Sequence, residues 1–139
     1  VSVLLRIGAA IYLGNNVEIL PGTYDQISYH RLALRIINGH DFTFGEEWWP
    51  ITKANAPTAH WSYLYTLYIA FIYRIFGPNP LIARLIQAII SGILLPYLTY
   101  LLGKKIFTNT VGLVAAGISG LSFARRYVDI HPNEKILII

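Results

Sequence analysis

The 139-residue sequence predicts an all-α chain of several membrane helices, with one large extracytoplasmic loop that carries a surface helix. Three observations predict it. Hydrophobic residues make up 55% of the chain and charged residues only 13%, whereas soluble domains average about a quarter charged. The charge is also confined. Five of the seven acids (Glu18, Asp25, Asp41, Glu46 and Glu47) fall between residues 15 and 60, and Arg84 is the single charge in residues 82–102. Membrane proteins keep their charge in loops and at segment ends. Finally, the polar stretch holds a helix-capping signature flanked by breakers.

Val1–Leu13 reads as the end of a first span. Arg6 interrupts it, and a cation there is costly unless it snorkels or pairs. Residues 15–59 are a polar and aromatic loop. Pro21-Gly22 breaks the chain, and Thr23-Tyr24-Asp25-Gln26 fits a capping box with Thr23 as N-cap and Gln26 three residues on. Asn38-Gly39 supplies the stop. The helix Tyr24–Asn38 carries Asp25, His30, Arg31 and Arg35, so it should lie on the membrane through Ile27, Leu32, Leu34, Ile36 and Ile37 rather than cross it. Asp25 falls in its first turn, where the helix dipole favours a carboxylate.

His60–Phe76 is an aromatic-rich apolar run ending at Gly77-Pro78-Asn79-Pro80. Its aromatics, and those of the loop, suit the membrane–water interface. Leu81–Leu102 is the clearest span. It covers roughly 30 Å at 1.5 Å per residue, the thickness of the hydrocarbon, and Pro96 should kink it. Val111–Ala124 ends at Arg125-Arg126, and its Gly112, Gly117 and Gly120 suit close helix packing.

The sequence contains no Met and both opens and closes within apolar runs. It therefore reads as a piece of a longer protein: residues 1–14 the end of a span, 15–59 the outer loop, 60–139 further membrane helices of the same domain. No cleavage motif follows Val1–Leu13, so no signal peptide is assigned. Cysteine is absent, which excludes disulfides and thiolate metal sites. The net charge of +4 sits at segment ends, where it suits lipid headgroups. No basic stripe suggests nucleic acid.

The order of these features resembles a known family. An Arg-interrupted span leads to Asp25 at the start of a helix, then to Gly39-His40-Asp41-Phe42 and to Pro57 before an aromatic run. There follow Phe76-Gly77-Pro78-Asn79-Pro80-Leu81-Ile82-Ala83-Arg84-Leu85, then Tyr100-Leu101-Leu102-Gly103-Lys104-Lys105-Ile106-Phe107, and a Gly/Ala-rich run. The pattern resembles the N-terminal part of GT-C fold membrane glycosyltransferases, nearest the family 39, dolichyl-phosphate-mannose-protein mannosyltransferase-like group. Aminoarabinose–lipid A transferases are relatives within that fold.

The resemblance implies a polyprenyl-phosphate sugar donor and transfer on the extracytoplasmic face. The acceptor it leaves open. It also implies a catalytic acid in the first outer loop, matched by Asp25. Many members carry Asp-Glu there, where this chain has Asp25-Gln26. Many also carry Lys-Pro-Pro before the next apolar run, where this chain reads Lys53-Ala54-Asn55-Ala56-Pro57-Thr58.

Sugar transfer from a lipid phosphate needs a base for the acceptor proton and cations or a metal for the departing phosphate. Asp25 can act as base or as ligand to a divalent ion; otherwise it only complements the helix dipole. Lys53 and His60, where the loop returns to the membrane, can meet the phosphate or can simply be interfacial side chains. Glu46 and Glu47 before Trp48 can bind and stack a sugar, or form a solvated turn. Arg125, Arg126 and Glu134 are candidate substrate contacts, with Asp129 and His131 beside them. Asp129 and Glu134 can join Asp25 around a metal, and Arg125-Arg126 can instead be a cytoplasmic anchor.

Topology is a question of parity. Asp25 and Glu134 share a face only if one of the three apolar runs after the loop fails to cross. His60–Phe76 is the shortest and richest in Tyr, hence the candidate surface or re-entrant helix. Lys104-Lys105 would then be cytoplasmic, and Arg125-Arg126 outside would need an anionic partner such as a lipid phosphate. Two other classes fit the same composition: a transporter or flippase of lipid-linked sugars, and a non-catalytic membrane subunit.

Overall fold

The structure is a computed structural model. It describes residues 1–17, 25–48 and 52–128, with side chains up to 121. Five helices follow in order: α1 (Ser2–Leu13), α2 (Asp25–Ile37), α3 (Tyr63–Phe76), α4 (Pro80–Ile106) and α5 (Asn109–Val128). The described residues contain only two isolated β-bridges, Thr43 with Pro57 and Trp48 with Thr52, so the chain is all-α as expected. It divides into two compact units, one of Val1–Gly14 with Arg84–Ile139 and one of Asn15–Ala83.

The first unit is built on small residues. A Cβ on Gly92 of α4 would stand 3.0 Å from the Val3 backbone of α1. One on Gly103 would stand 2.7 Å from Gly112 Cα, so the backbones of α4 and α5 touch there. A Cβ on Gly120 would stand 3.3 Å from the Ser2 side chain and 3.8 Å from that of Pro96. Among the described residues Gly117 has nothing within 4 Å, so of the three glycines expected to pack, Gly112 and Gly120 do and Gly117 does not. The α4–α5 turn is tied by the Thr108 hydroxyl, which accepts the Val111 N–H at 3.3 Å, and by Tyr100 donating to Asn109 at 2.7 Å. The Arg84 guanidinium donates to the Gly14 carbonyl at 2.5 Å and the Leu13 carbonyl at 3.4 Å, a cation on the negative end of α1.

Among the described residues α4 is the one helix long and apolar enough to cross a membrane. Its 27 residues reach about 40 Å. Pro80 at its start fits, because a first-turn residue has no intrahelical use for its N–H. α1, α3 and the described part of α5 are apolar but shorter. α5 runs to Val128 rather than stopping at Ala124, so Arg125 and Arg126 belong to the helix itself.

The second unit has a conventional core. Its loop helix ends where Asn38-Gly39 predicts. Gly39 takes φ +81°, its N–H donates to Ile36 O at 3.0 Å, and the His40 N–H reaches back to Arg35 O at 3.1 Å. This is the Schellman arrangement that a left-handed glycine permits. The start of the helix, Thr23 and Tyr24 with the expected capping box, lies outside the described residues.

Of the expected apolar stripe of α2, Leu32 turns into the protein while Ile27, Leu34, Ile36 and Ile37 are half-buried. Leu32 is fully buried with Phe42, Phe44 and Trp61, and Ala33 with Ile69, Ala70 and Tyr73 of α3. Several aromatics of the loop and of α3 are likewise interior, whereas Tyr63, Phe71 and Phe76 stay exposed. Phe44 is 2%, Trp61 5% and Tyr73 4% exposed, with Phe44 edge-on to Trp61 and Tyr29 edge-on to Tyr65. Rings of this size favour edge-to-face contact and contribute more buried area per residue than any aliphatic. Leu32→Ala should therefore lower the opening free energy of α2 by about 2–5 kcal/mol, read from hydrogen exchange of its backbone amides.

Candidate functional site

The polar groups of the second unit converge on α2 and the loop that folds over it. Arg35 is the organising residue. Its guanidinium donates to Thr43 O at 3.3 Å, to Thr43 Oγ1 at 3.0 Å and to Asn55 Oδ1 at 2.9 Å. Gly45 leaves room for it: a Cβ there would stand 2.9 Å from Arg35 Nη1. Asn55 takes φ +58°, a conformation that Asn tolerates better than most residues, and its N–H donates to Phe44 O at 2.7 Å. A single side chain thus holds both arms of the loop.

One turn earlier, Arg31 pairs with Glu46 and lies 4.3 Å from the centre of the Trp48 ring. Trp48 also donates its indole N–H to Ser28 at 2.7 Å and stacks on Phe44 at 5.3 Å. Glu46 and Trp48 therefore both fasten the loop to α2. Glu47 is exposed. The Arg31–Glu46 pair is itself well exposed, at 45% and 64%, and such pairs contribute only about 0–1 kcal/mol. Arg35 is different, because removing it strands partly buried acceptors. Arg35→Ala should cost about 1–3 kcal/mol against at most about 1 kcal/mol for Arg31→Ala. Arg35→Lys should not restore it, since one ammonium cannot reproduce the fork. Thermal unfolding of the three variants checks the ranking.

Asp25 opens α2 and is exposed. Lys53, at the tip of the chain between the two arms, and His60, just before buried Trp61, are exposed as well. The His60 N–H donates to Thr58 Oγ1 at 3.4 Å, and its ring stands edge-on to Trp61 at 4.7 Å. All three belong to the same compact unit. Arg125 and Arg126 are described only as backbone of α5, while Asp129, His131 and Glu134 lie outside the described residues. Among the described residues no three His, Asp or Glu side chains stand together as a metal site. Asp25 therefore gathers no ligand set from them.

Two polar links between α2 and α3 have no sequence signature. His30 Nδ1 and the Tyr73 hydroxyl are 2.7 Å apart, and the Ser62 N–H donates to the Tyr29 hydroxyl at 3.3 Å. His30, Arg31 and Arg35 read in sequence only as charge that keeps α2 out of a membrane. The four-residue spacing of Arg31 and Arg35, which puts both on one face of the helix, was the available signal that they meet the same loop. No family model, curated protein or solved structure matches this chain.

Proposed function

We propose that this protein is an integral multi-pass membrane glycosyltransferase of the GT-C type, in the cell membrane. It moves a hexose or pentose from a polyprenyl-phosphate donor to a protein, lipid or glycan acceptor on the extracytoplasmic face, with inversion. The observation that carries the reading is Asp25: an exposed carboxylate in the first turn of a helix, within a packed polar unit inserted between the apolar helices α1 and α4. The family resemblance supplies the reaction class, and the surface of α4 supports the membrane. Ile89, Ile90, Ile93, Leu94, Leu95 and Leu98 are all between 43% and 60% exposed. A long apolar helix that leaves so many large aliphatic side chains uncovered outside its glycine contacts with α1 and α5 fits hydrocarbon, not water. Lys104 and Lys105 at its far end mark the cytoplasmic side.

In the reaction, the acceptor hydroxyl oxygen attacks the anomeric carbon as the bond from that carbon to the phosphate oxygen breaks. The polyprenyl phosphate leaves with the electron pair, and Asp25 takes the hydroxyl proton. Lys53 and His60 are candidates to meet the phosphate charge. Labelled sugar on a polyprenyl-phosphate carrier, offered with acceptor to the purified protein in detergent, tests the reading. Sugar in the acceptor product supports it. Carrier translocation in vesicles without any transfer would overturn it in favour of a flippase.

A further inference from the structure

Lys53 stands at the corner of a turn that is pinned at both ends. The Ala56 N–H donates to the Lys53 carbonyl at 3.2 Å, which closes a four-residue turn over Lys53-Ala54-Asn55-Ala56. Asn55 is its third residue and takes φ +58°, the left-handed position that a type II turn requires. Before the turn, Trp48 and Thr52 exchange backbone hydrogen bonds at 2.8 and 2.9 Å. After it, Pro57 bridges to Thr43, and the Thr58 N–H donates to Phe42 O at 3.2 Å. Asn55 itself is held twice. Its N–H donates to Phe44 O at 2.7 Å, and its Oδ1 accepts from the Arg35 guanidinium at 2.9 Å.

We infer that Asn55 is a positioning residue for Lys53: tied to Arg35, it fixes the turn that presents the Lys53 ammonium to the phosphate of the lipid-linked donor. This rests on the sugar-transfer reading, which supplies the phosphate. Lys53 and Asn55 are both exposed, so the Asn55 side chain fills no core. What it holds is the course of the backbone. A loose loop has to be ordered when it meets its ligand, and that ordering is subtracted from affinity. Here the order exists beforehand. The anchor also lies on α2, whose first turn carries Asp25 and whose last turn carries Arg35. One regular helix thus bears the proposed base at its start and the anchor of the phosphate contact at its end, the rigid support that a two-part site needs.

The probe is farnesyl phosphate, titrated calorimetrically into the whole protein in detergent, with farnesol as the phosphate-free control. Lys53→Gln should weaken farnesyl phosphate about 10–100-fold, the share of one charge-assisted contact, and leave farnesol unchanged. Asn55→Ala removes both the Oδ1 and the tolerance of positive φ, and should weaken it about 3–10-fold. Asn55→Gly keeps the φ and loses only the Arg35 bond, so it should fall between Asn55→Ala and the wild type. Asn55→Asp keeps an acceptor for Arg35 and the left-handed conformation, and should recover most of the affinity. In the Lys53→Gln background Asn55→Ala should do almost nothing further, because no ammonium is left to place.

An Asn55→Ala loss of equal size with and without Lys53 would make Asn55 a structural residue alone, and overturns the inference. Unchanged farnesyl phosphate binding in Lys53→Gln overturns it too, and leaves the sugar-transfer reading standing where the wild type still moves labelled sugar to acceptor. A wild type that transfers no sugar and binds farnesyl phosphate no better than farnesol removes both.

Discussion

Asp25→Asn should lower sugar transfer by roughly 10²–10⁴-fold, the range in which a positioned proton acceptor contributes, with donor binding and membrane insertion unchanged. The amide keeps the size and hydrogen-bonding shape of the side chain but cannot take the acceptor proton. The competing role, a carboxylate that complements the α2 dipole, is worth only about 0.3–1 kcal/mol and would appear as lower stability. The two separate cleanly. A base gives a loss in kcat with little change in KM for the donor and in Tm. A dipole partner gives a small fall in Tm and near-normal turnover. Asp25→Glu should recover part of the rate, because the chemistry is kept and the reach changed. An Asn variant with normal turnover removes Asp25 as the base.

Gly112→Ala should destabilise the α4–α5 pair by about 1–3 kcal/mol, whereas Gly117→Ala, five residues along the same helix, should be neutral or stabilise by up to about 1 kcal/mol. The new methyl at Gly112 would stand 2.8 Å from both the Lys104 nitrogen and the Tyr100 carbonyl oxygen. Those are backbone atoms, so no side chain can rotate away and the helices must part. At Gly117 nothing among the described residues lies within 4 Å, and alanine simply restores the helix propensity that glycine lacks. Titration with a denaturing detergent, followed by circular dichroism, ranks the two. Equal effects would contradict the close contact of α4 with α5.

Much of the helix plan was legible because its signals are local. Gly39 ends α2 as expected, since the left-handed C-terminal residue is a property of one position and its neighbours. Hydrophobic run length located α4 and the breaker at Gly77-Pro78. The candidate site was legible only as residue types. Asp25 was found from its cap-like context and the family resemblance, and it is exposed at the helix start. The fastening of the loop by Arg35 and Asn55 was not, because contacts 20 residues apart leave no periodic trace.

The sequence by itself determined the all-α class, the order of the apolar segments, the long apolar helix α4 and the polar unit between α1 and α4. These follow from composition, run length and breakers, which act within a few residues. Tertiary structure decided which apolar residues meet protein. It sent Leu32, Phe44, Trp61 and Tyr73 inward although all had suited a membrane surface, because an aromatic is equally content against another ring or at an interface. It left Leu64, Leu67, Phe71 and Ile75 uncovered. It also separated Gly112 from Gly117, identical in sequence terms, by how closely another backbone approaches each.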